Sequence, residues 1–268
     1  MATRHAPPSH HAPPWGWALA GAFLGLVWAG TVFAPARWLA AGIQQASNQR
    51  VQLTQLQGSV WQGSAQLVLS GGEGSSDAVA LPGRVYWHIQ PRWLGLEIAL
   101  GADCCTQEPL RIEALATGWK ALQVALHDAH SQWPASLLTG LGTPWNTVRA
   151  QGKLVASSQG LNVQWSPGQF VLAGQLLVDA LQVSSRLSTL SPMGSYRIVL
   201  QGGTTPSLQL STLEGSLQLS GNGYWLGQRL RFRGVASAVP DRVEALTNLL
   251  NILGRRDGAR SIITIGPP

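Results

Sequence analysis

Two neighbouring runs, Ser207-Leu-Gln-Leu-Ser-Thr-Leu213 and Ser216-Leu-Gln-Leu-Ser220, alternate apolar and polar residues. Successive side chains of a strand point to opposite faces, so a period of two predicts strands with one buried face. The same texture recurs in Val51-Gln-Leu-Thr-Gln-Leu56, in Leu154 to Ser157 and in Leu161 to Trp165. Gly71-Gly72, Pro82-Gly83, Pro167-Gly168, Gly202-Gly203 and Gly221-Asn222-Gly223 read as turns between such runs. Short strands divided by turns every 8–12 residues or so are the pattern of a sandwich or barrel. The fold class expected is therefore mostly β: an N-terminal transmembrane helix, then an antiparallel, curled, sandwich-like sheet with a C-terminal helix and a closing strand.

Two stretches break the alternation. Pro134 to Leu141 reads as a short helix, with Pro134 where a missing N–H costs nothing. In Pro240 to Leu253, Val243, Leu246, Leu249, Leu250 and Leu253 recur at helical spacing. Asp241 reads as a cap or as a charge suited to the positive end of that helix, and Gly254 reads as its stop. The turn Asp257-Gly258 then leads into a last strand, Arg260 to Ile265.

Trp15 to Phe33 (WGWALAGAFLGLVWAGTVF) is uncharged. At about 1.5 Å per residue it comes close to the ~30 Å hydrocarbon thickness of a bilayer. Trp15 and Trp17 stand at one end and Trp38 just past the other, where amphipathic rings favour the interface. Its length exceeds the apolar core of a cleaved signal, and Pro35 is poor context for cleavage. A membrane anchor is expected over residues 15–34, after a cytoplasmic His/Pro-rich tail over 1–14. A linker over 35–50 and a periplasmic β-rich domain over 51–268 follow, with the chain entering from the cytoplasm.

Composition narrows the functional classes. Charged residues are 11% of the 268, against roughly 25% in ordinary soluble domains, while the 45% apolar content rules out disorder. The pI near 10.1 reflects few acids rather than a basic patch, because the arginines are scattered; nucleic-acid binding is not expected. Arg229, Arg231 and Arg233 alternate with Leu230 and Phe232 and read as a solvated strand face, with a partner or lipid-headgroup contact as the alternative.

The residues that could carry chemistry form no constellation. The adjacent Cys104 and Cys105 read as a turn, with a bond to each other or elsewhere as alternatives. His127 and His130 lack a third ligand at motif spacing. No nucleophile elbow, phosphate loop or dinucleotide fingerprint is present. No catalytic residue, metal or cofactor is expected. Trp61, Trp87, Trp93, Trp119, Trp133, Trp145, Trp165 and Trp225 are expected to pack in the core, with a membrane-facing rim or apolar groove as the sharper alternative.

One set of motifs carries a resemblance. After the apolar helix comes Leu56-x-Gly58-x-Val60-Trp61-x-Gly63-x-Ala65, then Leu81-Pro82-Gly83-x-Val85-x-Trp87, running into Pro91-Arg92. The end reads Leu249-Leu250-Asn251-x-Leu253-Gly254-Arg255-Arg256-Asp257-Gly258, then a strand. In this order the motifs resemble the type II secretion system protein N family, over roughly residues 15–268. The resemblance implies a single-pass inner-membrane accessory protein, not an enzyme, in the machinery that exports folded proteins from the periplasm across the outer membrane. It implies inner-membrane platform proteins as partners, with the outer-membrane secretin a further candidate, and contact with lipid. It gives Gly58, Trp61, Gly63, Gly83, Trp87, Gly254, Arg255, Asp257 and Gly258 structural roles. The rival reading is a periplasmic carrier of lipid or another apolar ligand in a β-sheet groove.

Overall fold

The computed structural model describes residues 15–266 apart from 73, 76, 144 and 228; the tail over 1–14 lies outside the described residues. Two helices lead the chain. Helix α1 (Trp15–Val32) is long and apolar enough to cross a membrane. The stretch read as a linker over 35–50 holds a second helix, α2 (Ala36–Ala46). Its apolar side chains share one face, so Ala36 and Ala40 are buried and Leu39 packs beside them.

The rest is one open antiparallel sheet of sixteen strands. The first eight are β1 (Val51–Gly58), β2 (Gln62–Ser70), β3 (Ala78–Ala80), β4 (Val85–Arg92), β5 (Gly95–Ala102), β6 (Leu110–Gly118), β7 (Ala121–Leu126) and β8 (Ala129–Pro134). A 3-10 helix (Ala135–Leu141) and α3 (Trp145–Val148) interrupt before β9 (Gln151–Ser166), β10 (Gln169–Ser184), β11 (Gly194–Gly203), β12 (Ser207–Gly215), β13 (Leu217–Leu226) and β14 (Arg229–Ala238). A second 3-10 segment (Pro240–Arg242) runs into α4 (Val243–Leu253), and the hairpin β15 (Arg255–Asp257) with β16 (Arg260–Ile265) closes the chain. Each main strand lies beside its neighbour in sequence, save that β3 pairs only with β2, β8 only with β9, and β16 lies between β14 and the edge strand β15.

The sheet curls, as its packing requires. Strands β2 and β9 are separated by four others, which in a flat sheet would place them roughly 24 Å apart. Both nevertheless touch the 3-10 helix Ala135–Leu141. Its Leu137 belongs to one buried cluster, with Ala65, Leu81, Val85 and Trp87. Its Ala135 belongs to a second, with Tyr196, Leu217, Leu246, Leu249 and Leu250. The helix thus fills the hollow between the two halves of the sheet.

Several local expectations change. Leu154 to Ser157 and Leu161 to Trp165 are halves of one strand, β9, paired with β8 and β7 respectively. Gly221-Asn222-Gly223 is not a turn but the middle of β13, facing β14 across the pairs Gly221↔Gly234 and Gly223↔Phe232. The Phe232 ring fills the space where side chains at 221 and 223 would stand, so glycine here admits an aromatic cover rather than a reversal. Helix α4 lies where periodicity put it, with Leu246, Leu249 and Leu250 buried. Asp241 lies in the first turn of the 3-10 segment that leads into α4, whose N-cap position is taken by Val239. Gly254 has extended backbone and is needed instead for close approach to Ile262 of β16. Cys104 and Cys105 are bonded to each other.

Candidate functional site

The antiparallel registers sort the connections onto two ends of the sheet. Because Gln62 pairs with His88 and Leu122 with Trp165, the turns β1–β2, β4–β5, β6–β7 and β9–β10 all fall at one end. The turns β11–β12 and β13–β14 fall there as well, since Leu172 pairs with Gly203 and Ser207 with Tyr224. The opposite end carries the long connections, with the 3-10 segments, α3 and α4.

The resemblance motif Gly58–Ala65 spans the β1–β2 turn, and α1 is fastened to it. The Val60 amide donates to the Ala34 carbonyl at 2.8 Å. Trp61 Nε1 donates to the Thr31 carbonyl, also at 2.8 Å, which partners one of the carbonyls that a helix end leaves without an intrahelical donor. Pro35 and Ser59 form an isolated β-bridge. From this knot α2 runs back along β1.

Trp87 holds the turn from beneath. Its ring is buried, and Nε1 donates to the carbonyls of Val60 at 3.0 Å and Ser59 at 3.2 Å. A buried indole needs such a partner, and two carbonyls of the turn supply it. Gly58 reverses the chain at φ +88°, a conformation that side-chain-bearing residues rarely adopt. Gly63 faces Trp87 directly: a Cβ there would lie 2.5 Å from both the ring Cζ2 and the Gln57 carbonyl oxygen. The motif is thus a glycine–tryptophan lock, with Trp87 inside, Trp61 reaching the helix, and glycines where the parts meet.

The remaining residues singled out in the sequence lie elsewhere. Gly83 is at the opposite end of β4, where the Arg84 amide donates to Asp103 Oδ2 at 3.0 Å. Burial, followed by the Asp103 charge, raises the Tyr86 phenol above its ordinary value. Gly254, Arg255, Asp257 and Gly258 build the β15–β16 hairpin at the far edge of the sheet, with Asp257 opposite Arg260. Among the described residues no group of three or more His, Cys, Asp or Glu is placed to hold a metal ion.

A second feature is the sheet's apolar face. Across successive pairs runs the row Ile89, Ile98, Ile112, Leu126, Leu161. Beside it runs Pro91, Leu96, Ala114, Val124, Val163, Leu172. The alternate positions, Glu97, Arg111, Glu113, Gln123, Asn162 and Gln164, put polar groups on the other face. Ile98, Ile112, Val124, Leu126, Leu161 and Val163 belong to neither buried cluster and are only partly buried. On the polar face of the adjoining strands, Arg197 grips Asp179 through two hydrogen bonds of 2.7 Å. That contact raises the guanidinium above its ordinary value.

The core assignment of the tryptophans fails at the hairpin tips. Trp93-Leu94 and Trp119-Lys120 are the two-residue loops of β4–β5 and β6–β7. Trp93 and Trp119 are 97% and 92% exposed, because a tip projects past the layer that would cover it. Trp145 and Trp165 are also exposed, whereas Trp133 packs on the first cluster. Reading the sequence also missed Thr31, Ala34 and Pro35 as the receiving half of the lock. The one signal for the tips was a tryptophan beside glycine between two alternating runs: Trp93-Leu94-Gly95 and Gly118-Trp119.

A family model described as type II secretion system (T2SS), protein N, matches residues 49–263, from just before β1 into β16. No curated protein and no solved structure matches.

Proposed function

The chain belongs to the type II secretion system protein N family, and from that premise we propose that it is a single-pass inner-membrane accessory component of the secretion machinery, with its sheet in the periplasm. The observation that carries this reading is the lock. The family motif Gly58–Ala65 is spent on fastening the apolar helix to the first hairpin. The protein then acts as a membrane-tethered scaffold rather than a catalyst. Partners are the inner-membrane platform proteins, and the secretin of the outer membrane.

One ladder is open to a partner strand. Strand β15 covers only Arg260, Ser261 and Ile262 of β16. Ile263–Ile265 are paired by β14 on one side alone among the described residues. Main-chain hydrogen bonds along such an edge give affinity without a dedicated pocket. Crosslinking in intact cells followed by recovery of the full chain tests the reading. Platform proteins or secretin in the adduct support it, and adducts lacking every secretion component overturn it.

The partly buried apolar face favours a second reading, carriage of a lipid or another apolar ligand along the curled sheet. Along these rows Ile98, Ile112, Val124 and Val163 offer an apolar lining that belongs to neither core cluster. Native mass spectrometry of the full chain released from membranes tests it. Retained lipid that Ile112→Asp with Val124→Asp expels supports the groove; lipid retained equally by both proteins refutes it.

A further inference from the structure

The short-turn end of the sheet has a composition that its fold does not need. Trp93 and Trp119 are almost fully exposed at their tips, Leu94 and Trp165 more than half exposed, and Leu226 at the β13–β14 turn is half exposed. A hairpin loop needs glycine, asparagine or aspartate for its geometry, not tryptophan. Exposed aromatic and aliphatic side chains gathered at one end mark a surface that meets something apolar.

What that surface meets follows from where α1 leaves the domain. The helix ends at the same end of the sheet, held through Ala34 to Val60 and Thr31 to Trp61. Trp38, at the start of α2, is 57% exposed beside this exit. The charges at the tips are mainly basic: Lys120 adjoins Trp119, Arg229 opens β14, and Arg92 adjoins Trp93 with Glu97 bonded to it. Tryptophan favours the headgroup level of a bilayer, and basic side chains there are attracted to anionic lipid.

We propose that the hairpin-tip end of the sheet rests on the surface of the bilayer that α1 crosses, with Trp93 and Trp119 as interfacial anchors. The domain then stands upright on the membrane, its core end with α3 and α4 pointing away. This inference rests on α1 being the anchor, but not on the secretion partners.

The test is lipid photocrosslinking of the full chain in vesicles of phosphatidylethanolamine and phosphatidylglycerol. Benzoylphenylalanine replaces Trp93, Trp119, Leu24 within α1, or Glu108 in the β5–β6 connection at the opposite end, one at a time. All four side chains are exposed, so each replacement leaves the core intact. Lipid-mass adducts at 24, 93 and 119 and none at 108 are expected. Adducts at 24 with none at 93 or 119, or adducts at 93 and 119 only to a second copy of the chain, overturn the seating while leaving the anchor standing. Equal adducts at 93, 119 and 108 overturn it too. No adduct at 24 removes the anchor, and the seating with it.

Discussion

Replacing Gly63 by alanine puts the lock to a direct test. The added Cβ would lie 2.5 Å from Trp87 Cζ2, 3.0 Å from Cε2 and 2.5 Å from the Gln57 carbonyl oxygen. Carbon contacts are comfortable at about 3.5–4.0 Å, so each neighbour would have to retreat by roughly an ångström. Neither can do so freely. Gln57 is held in the β1–β2 ladder opposite Ser64, and Trp87 is buried with Nε1 on two carbonyls. Overpacking a tight site costs about 1–3 kcal/mol, and this site falls at the top of that range because backbone and ring are both fixed. Gly42, in α2, is the internal control. A Cβ there meets nothing within 4 Å, and alanine in a helix is favoured over glycine by about 0.8–1.0 kcal/mol. At roughly 2–4 °C per kcal/mol for a domain of this size, Gly63→Ala lowers the melting temperature by about 6–12 °C and Gly42→Ala raises it by about 2–4 °C. Thermal unfolding of the full chain in detergent, followed by near-ultraviolet circular dichroism of the tryptophans, reads both. A Gly63→Ala protein that melts with the parent and keeps its tryptophan signal would refute the close approach of Gly63 to Trp87.

Three further outcomes follow from the packing. Leu250→Ala, at a fully buried position under the sheet, lowers stability by about 2–5 kcal/mol in chemical denaturation, whereas Ile252→Ala, on the exposed side of the same helix, changes it by less than about 1 kcal/mol. Tyr196→Phe removes a buried hydroxyl that has no hydrogen-bond partner and leaves stability equal or higher by about 1 kcal/mol. Burial raises the Tyr196 phenol above its unfolded value of about 10, so it leaves stability unchanged with pH below that value and lowers it as pH rises from there towards the folded value; Tyr196→Phe removes this part of the decline in alkaline melting curves. Glu97 is held below the ordinary carboxylate range first by its hydrogen bond from Arg92. Its contribution is present above the unfolded carboxylate value and is lost as pH falls through the folded one, so acid titration of stability is shallower in Glu97→Gln.

Much of the fold was legible because it rests on local periodicity. The alternation in Ser207 to Ser220 marks strands wherever one face is buried, and Leu246, Leu249 and Leu250 share a helix face whatever lies beneath it. Gly221-Asn222-Gly223 misled because glycine serves turns and close packing alike; which applies depends on whether an aromatic ring such as Phe232 lies across the sheet. Helix α2 was missed because a short helix between an apolar helix and a strand has the composition of a linker until β1 gives it something to pack on. The candidate site was legible as residues but not as a place. Gly58, Trp61, Gly63 and Trp87 stood out in the sequence, but their common task of gripping the end of α1 did not.

The sequence alone determines an apolar helix long enough for a bilayer, a succession of one-faced strands, a terminal helix and hairpin, and the motif order of its family; each is read within a few residues of itself. The tertiary structure alone decides that one end of the sheet gathers the short turns and the end of α1, that Trp93 and Trp119 stand uncovered there, and that Trp61 reaches Thr31 across a sequence separation of 30. The physical reason is register. The chemistry of a tryptophan is the same in a core and on a tip, and only the pairing of strands far apart in sequence fixes whether protein neighbours cover it.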